Sequence, residues 1–240
     1  MLGSVKYKPL APVPRNPGPR DTLPGLCNNE FLTRQSLGEV AVFDVERFIA
    51  ECEHAVNEGG QTAVREILAA AIADPAQIIA ALGKPRRAGP QFLHRSPRLT
   101  IMNIIWPPSY TQTPHNHLLW AEIGVYAGRE DNIFWRRSGP GSKWPIEAAG
   151  AAALCAGSHC SFDLDVIHSV TNPLDTVTAG IHVYGGDLSL PPRSAWDGDM
   201  LTEAPLSHAR DIRAIEAYNA SLTGSLHPDA AGPGMLPHHR

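Results

Sequence analysis

From about Arg98 onward apolar and polar positions alternate with a period of two, whereas upstream the apolar positions recur at helical spacing. Strands send successive side chains to opposite faces and helices bring i, i+3 and i+4 together, so the change of period separates a helical part from a β part. In the β part, residues 99–106 predict a strand that runs up to Pro107-Pro108. Residues 117–126 predict a second, and residues 133–137 a third after the turn-forming stretch 128–132. Short strands punctuated by Gly and Pro continue to Tyr184, the spacing of a jelly-roll barrel. In the strand predicted over 176–184, Val177, Ala179, Ile181 and Val183 form one apolar face. Thr176, Thr178, Gly180, His182 and Tyr184 form the other.

Residues 44–83 read as helical and are expected to cover one side of the barrel. Asp44 can cap a helix over 45–56 whose stripe carries Phe48, Ile49 and Cys52. Asp74-Pro75 is a cap with proline at the first helical position, opening a helix over 76–82 that Gly83 ends. Residues 1–30 form an arm in which Pro9, Pro12, Pro14, Pro17, Pro19 and Pro24 exclude helix. The resulting partition is an arm at 1–30, a helical segment at 31–90, a barrel at 91–190 and an extension at 191–240. A helix is predicted at about 207–221 in that extension, packed on the barrel or on a neighbour.

Composition narrows the function classes. The chain has 240 residues, 43% of them hydrophobic, enough for one all-β core with helical additions. A net charge of −4 with mixed signs argues against nucleic-acid binding. No apolar run is long enough to cross a membrane and no secretory signal opens the sequence, so a cytoplasmic location is expected. Cys27, Cys52, Cys155 and Cys160 lack metal-finger spacing and are read as reduced thiols, with Cys155 and Cys160 as small strand hydrophobes.

The candidate chemistry is a metal site. His115 and His117 stand at i and i+2, which on a strand points both imidazoles to one face. His168 lies on a later strand that folding can bring alongside, and three imidazoles suit iron, zinc, copper or nickel. Glu122 is the candidate fourth ligand. Its odd spacing from His117 turns it to the other face of a regular strand, so ligation requires a bulge. His182 and Tyr184, also at i and i+2, can share a hydrogen bond and present the phenol to a ligand. His159 is read as an exposed turn residue, and Glu130 and Asp131 as surface partners of Arg129 or Arg136. Arg136 and Arg137 could place charge near the barrel mouth. Trp106, Trp120 and Phe134 are candidates to line a pocket.

These segments resemble the two signatures of the cupin superfamily. Pro114-His115-Asn116-His117 followed by Glu122 fits the first, and Gly157, His168 and Asn172 fit the second, with Asp163-Leu164-Asp165 where a Pro-x-Gly turn is usual. The resemblance implies an all-β, double-stranded β-helix (cupin or jelly-roll) barrel with N-terminal helices and a C-terminal extension. Trp120-Ala121, residues 123–126, 128–132 and 167–170, and Ile181-His182-Val183-Tyr184-Gly185 are similar to the thiol dioxygenases of the cysteine dioxygenase type, chiefly their bacterial members acting on small thiol acids. That likeness covers about 95–187. It implies Fe(II) held by His115, His117 and His168, a thiolate and O2 brought together on the ion, and a sulfinate product. It also implies that Arg95, with Arg98 in reserve, grips the substrate carboxylate, and that Tyr184, oriented by His182, bonds the substrate or the oxygen adduct.

Two departures stand out. Gly180 occupies the position where the family's hydrogen-bonded triad begins with a serine, and Thr178, one pleat back, is the substitute considered. Glu122 replaces the cysteine or small residue usual in that family, so no Cys–Tyr cross-link forms there. Three functions follow as expectations. One is an iron dioxygenase acting on a small thiol carboxylate. A second is a metallo-cupin with a three-His, one-Glu site acting on a non-thiol small acid as dioxygenase, isomerase or decarboxylase. A third is a non-catalytic small-molecule-binding cupin. The proline-rich start makes a homodimer plausible.

Overall fold

The computed structural model describes residues 43–224; the proline-rich arm, residues 31–42 and residues 225–240 lie outside the described residues. Asp44 has the extended backbone of a cap, and its carboxylate accepts from Arg47 N at 2.7 Å to open α1 (Val45–Glu58). Gly60, at φ 60°, begins α2 (Gly60–Ile72). The helix α3 (Pro75–Leu82) starts at its proline and ends at Gly83, where φ is 84°. Phe48 and Cys52 are buried on α1 as their spacing required, with Val64, Leu68 and Ile72 on α2 and Ile78 on α3.

Eleven strands follow among the described residues: β1 (Gly89–Arg95), β2 (Thr100–Trp106), β3 (Tyr110–Asn116), β4 (Ala121–Ala127), β5 (Arg129–Arg137), β6 (Ile146–Cys155), β7 (His159–Phe162), β8 (Ile167–Asn172), β9 (Thr178–Tyr184), β10 (Ser194–Trp196) and β11 (Glu203–Pro205). They form two sheets, in the orders β1-β2-β9-β4-β7 and β11-β10-β3-β8-β5-β6, and the paired strands are antiparallel. Within this order β2 pairs β9, β3 pairs β8, β4 pairs β7 and β5 pairs β6. The chain is thus one long hairpin, turning between β5 and β6, whose paired arms cross repeatedly from one sheet to the other. That topology is a double-stranded β-helix, the fold expected from the sequence.

Two elements differ from the expectation. Residues 117–126 do not make one strand: 117–120 is a connection in which Leu118 takes φ 55°, and β4 starts at Ala121. The strand β3 reads Tyr-Thr-Gln-Thr-Pro-His-Asn and has no apolar alternation to announce it. The alanine-rich block at 148–153 is part of β6, an edge strand whose side chains are mostly exposed. The barrel also extends past 190, because β10 and β11 add to the second sheet.

Each sheet has an outer and an inner face, and β9 shows how the sequence divides them. Ala179, Ile181 and Val183 pack outward with Phe48, Cys52, Leu68, Ile72 and Ile78 of the helices. Burying each of the larger aliphatic side chains there is worth about 1.5–3 kcal/mol. His182 and Tyr184 face inward, where Met102, Ile104, Trp106, Ile123, Val125, Phe162 and Val170 form a second cluster with Tyr184. Gly124 lets α2 seat closely: a Cβ there would lie 2.8 Å from Ile72 Cγ2. The extension packs on the barrel through α4 (Ala209–Gly224). Asp211 in its first turn accepts from Tyr110 Oη at 2.6 Å and Gln112 Nε2 at 3.0 Å, and the Asn219 side chain bonds both backbone groups of Ala88 at 2.9 Å. Cys52 and Cys160 are free thiols, while Cys155 is disulfide-bonded, which corrects the reading of all four cysteines as reduced. No helix among the described residues is long and apolar enough to cross a membrane.

Candidate metal centre

His115, His117 and His168 come together inside the barrel, all three buried. A bulge in β3 makes this possible. Gln112 pairs with Val170 and His115 with His168, so β3 spends three steps where β8 spends two. The extra residue falls at Thr113-Pro114 and reverses the side-chain parity, turning His115 to the inner face that Gln112 occupies. Proline is tolerated there because a bulge has no ladder bond to lose. His117 lies past the end of β3, and the left-handed turn at Leu118 carries the chain back into β4. The two imidazoles therefore share a site, though not as i and i+2 of one regular strand.

The ring nitrogens that converge are the Nε2 atoms, 3.3 Å apart for His115 and His117 and 3.2 Å for His117 and His168. Ligands at 2.0–2.1 Å from an ion and mutually perpendicular would stand about 3.0 Å apart, so the donor set fits a transition-metal ion. His115 Nδ1 bonds the Thr113 carbonyl at 3.0 Å and His168 Nδ1 bonds Asn132 Oδ1 at 2.8 Å, which leaves Nε2 of each free for an ion. Burial holds all three imidazoles below the usual histidine range. His115 lies at about 4 and the other two well below their ordinary value, lowered further by their mutual proximity. Neutral imidazole is the form that binds a metal.

Glu122 does not join this cluster. It pairs across β4 and β9 with Val183 and shares that residue's outward face. Its carboxylate accepts from Gln61 Nε2 at 2.9 Å and from Ser161 Oγ at 2.7 Å, tying α2 to β4 and β7. Burial raises its pKa. The expectation of Glu122 as a ligand is corrected, because no bulge falls between the connection at 117–120 and Glu122 to change its face.

His182 and Tyr184 share the inner face of β9, with Tyr184 Oη 3.3 Å from His182 Nδ1. Tyr184 packs edge-on to His117, its centroid 4.9 Å away. Burial raises the Tyr184 pKa and keeps the phenol neutral. Thr178 is not part of this pair; its hydroxyl bonds Arg129 O at 2.9 Å and Asn172 Oδ1 at 3.0 Å. The residue facing His182 is Glu130, fully buried and not at the surface, with Oε2 3.6 Å from His182 Nε2. Its alternation with Asn132 and Phe134 along β5 was the signal that placed it inside. Asp131, by contrast, pairs with Arg129 on the outer face.

A cavity of about 380 Å³ adjoins the histidines, with walls that include Met102, Ile104, Trp106, Val170 and Leu188. Ile212 and Ile215 of α4 close one side. Of the expected aromatics only Trp106 lines it; Trp120 packs in the outer cluster and Phe134 against the inner one. Arg95 reaches the cavity, but its guanidinium is bidentate to Asp187 at 2.9 and 3.2 Å and also bonds Ser189. Arg98 stands 3.8 Å from Glu53 and is absent from the cavity wall. Arg136 and Arg137 are likewise taken, by Glu147 and Glu203. His159 is exposed at the start of β7. Arg193, which the sequence reading missed, lines the cavity just before β10, whose Ala195 pairs with His115. Among the described residues it has no ion-pair partner, and its charge depresses the pKa of both His115 and His117.

No family model matches the chain, and no curated protein does. Solved structures that resemble it include cupins. An RmlC-like cupin family protein with a double-stranded β-helix fold from Methanocaldococcus jannaschii is 10% identical with a TM-score of 0.36, covering 44% of this chain and 86% of that one. A cupin domain from Bordetella pertussis is 19% identical with a TM-score of 0.32, covering 42% and 98%. A sugar phosphate isomerase from a cupin superfamily, from Silicibacter pomeroyi, is 15% identical with a TM-score of 0.32, covering 44% and 60%. The strand order of this chain, and not these distant likenesses, identifies its fold.

Proposed function

We propose that the protein is a mononuclear iron oxygenase that uses Fe(II) and O2 to oxidise a small thiol carboxylate to its sulfinate, as the cysteine dioxygenase-like resemblance implies. The observation that carries this reading is a centre of three neutral imidazoles with no carboxylate among the described residues, beside an apolar cavity lined by a guanidinium that no described residue pairs. His115, His117 and His168 would hold the ion through Nε2. Fe(II) bound there supplies oxygen activation and, with its charge uncancelled by any anionic ligand, lowers the pKa of a coordinated thiol.

The chain's own residues account for binding and orientation. Arg193 offers a planar fork to a carboxylate, and burial weakens its hydration so that an anion is the natural partner. An anion there also offsets the repulsion between Arg193 and a bound cation. In this reading Arg193 takes the substrate grip, and Arg95 holds the cavity rim through Asp187. Trp106, Met102, Ile104 and Val170 exclude water around the reacting group, and Tyr184 presents its phenol oxygen to it. The four-ligand reading on a non-thiol acid rested on Glu122, which faces the helices.

The experiment is oxygen uptake by anaerobically iron-loaded protein against small thiol carboxylates, with thiol-free acids alongside. Thiol-dependent uptake with a sulfinate product, and a ten- to hundred-fold rise in KM in Arg193→Ala on the order expected for a lost charged hydrogen bond, supports the proposal. Uptake with thiol-free acids alone, or none at all, overturns it.

A further inference from the structure

We infer that Glu130 sets the tautomers of two histidines at once, His168 through Asn132 and His182 directly, and thereby turns the Tyr184 oxygen toward the cavity as a hydrogen-bond acceptor. The inference rests on the metal-centre reading of His115, His117 and His168, not on the identity of the substrate. Glu130 is a positioning residue in this account.

Glu130 lies in the barrel interior, 0% exposed, and its carboxylate is met by donors on both oxygens. Trp106 Nε1 donates to Oε2 at 2.8 Å and Asn132 Nδ2 donates to Oε1 at 3.0 Å. An indole N–H and an amide NH2 have nothing to accept with, so these contacts select an ionised carboxylate, which only accepts. These donors and the nearby His182 hold its pKa below the usual value despite burial.

The first arm follows from that acceptor. With its NH2 committed to Glu130, Asn132 must present Oδ1 to His168 Nδ1, 2.8 Å away, and that nitrogen must carry the hydrogen. His168 then has its lone pair on Nε2, the atom that stands 3.2 Å from His117 Nε2. A flipped amide would set Oδ1 against the Glu130 carboxylate, acceptor against acceptor, and lose that contact.

The second arm concerns His182. Its Nε2 is buried with no hydrogen-bond partner at normal distance, while Glu130 Oε2 stands 3.6 Å from it. A lone pair on Nε2 would face a carboxylate, so the stable tautomer carries hydrogen on Nε2. Nδ1 is then the acceptor, and Tyr184 Oη, 3.3 Å away, donates to it. The phenol oxygen keeps its lone pairs for the cavity. Gly180 contributes by having no side chain: a Cβ there would lie 3.4 Å from His182 Nε2. The partner that the thiol dioxygenase resemblance would place at position 180 is supplied from β5 instead.

The test is long-range 1H–15N correlation of the histidine rings in full-length, 15N-histidine-labelled, metal-free protein, in which no ion fixes the His168 tautomer. The expected wild-type spectrum has His182 protonated at Nε2 and His168 at Nδ1. In Glu130→Gln the new NH2 must face either Asn132 or the Trp106–His182 side, so at least one ring moves to its other tautomer. Protonation of wild-type His182 at Nδ1 overturns the inference. So does a folded Glu130→Gln in which both rings are unchanged, the result expected if Glu130 only fills space. Should that variant fail to fold, the wild-type spectrum alone decides. Absence of thiol-dependent oxygen uptake would sink the proposed substrate while leaving these ring assignments where they are.

Discussion

His115 on β3 lies directly opposite His168 on β8, and it does so because one extra residue at Thr113-Pro114 shifts the register of the pair. That bulge converts a polar strand end into half of a metal site. His117 completes it from outside the strand, so its removal should abolish binding without disturbing the ladder. His117→Ala is expected to lose metal affinity by more than about a hundred-fold, above the loss typical of supporting residues. Metal content after dialysis measures this, and a variant that retains the wild-type stoichiometry would sink the site.

Glu122 faces the helices, so its loss should cost stability and leave the centre intact. Glu122→Ala takes the acceptor from Ser161 Oγ and leaves Gln61 Nε2 with the Phe162 carbonyl alone, which accounts for about 1–3 kcal/mol. The thermal midpoint is expected to fall while metal content stays at the wild-type level. A metal loss comparable with that of His117→Ala would return Glu122 to the ligand set.

The buried histidines make the metal-free protein sensitive to acid. His115 has a folded pKa of about 4 against an ordinary value of 6.5. Between those values the unfolded chain binds more protons than the folded one, so stability falls as the pH drops from 6.5 toward 4. Each histidine kept neutral contributes about 1.4 kcal/mol per pH unit in that window. Urea midpoints of metal-free protein at about pH 7.5 and about pH 5 should differ in that direction. Equal midpoints would mean that the imidazoles are not held neutral by burial.

Gly185 follows Tyr184, and a Cβ on it would lie 1.9 Å from Trp120 Cε2. Gly185→Ala must therefore displace the indole or the end of β9, at roughly 1–3 kcal/mol for an overpacked site. The melting temperature should drop by about 2–4 °C for each kcal/mol. An unchanged melting curve would show that Trp120 moves aside freely.

Local patterning was enough to read much of the fold. Asp44 and Asp74-Pro75 open helices where they were expected, because caps and proline act within a turn of the chain. The two faces of β9 were legible because alternation over 176–184 is a local property. The three histidines were legible because their segments resemble the cupin signatures. The strands β3 and β6 were not. One is polar and the other nearly all alanine and glycine, so neither carries a periodic hydrophobic signal.

By itself, then, the sequence determined the starts of α1 and α3, the β character of the chain after Arg98, the shared face of His182 and Tyr184, and the three histidines that cluster. The tertiary structure alone decided which way Glu122 and Glu130 point, and which arginine stays unpaired at the cavity. Facing depends on register between strands distant in sequence, and a single bulge reverses it. A charge is free or spent according to what remote segments bring to it: Asp187 neutralises Arg95, while no acidic partner among the described residues reaches Arg193.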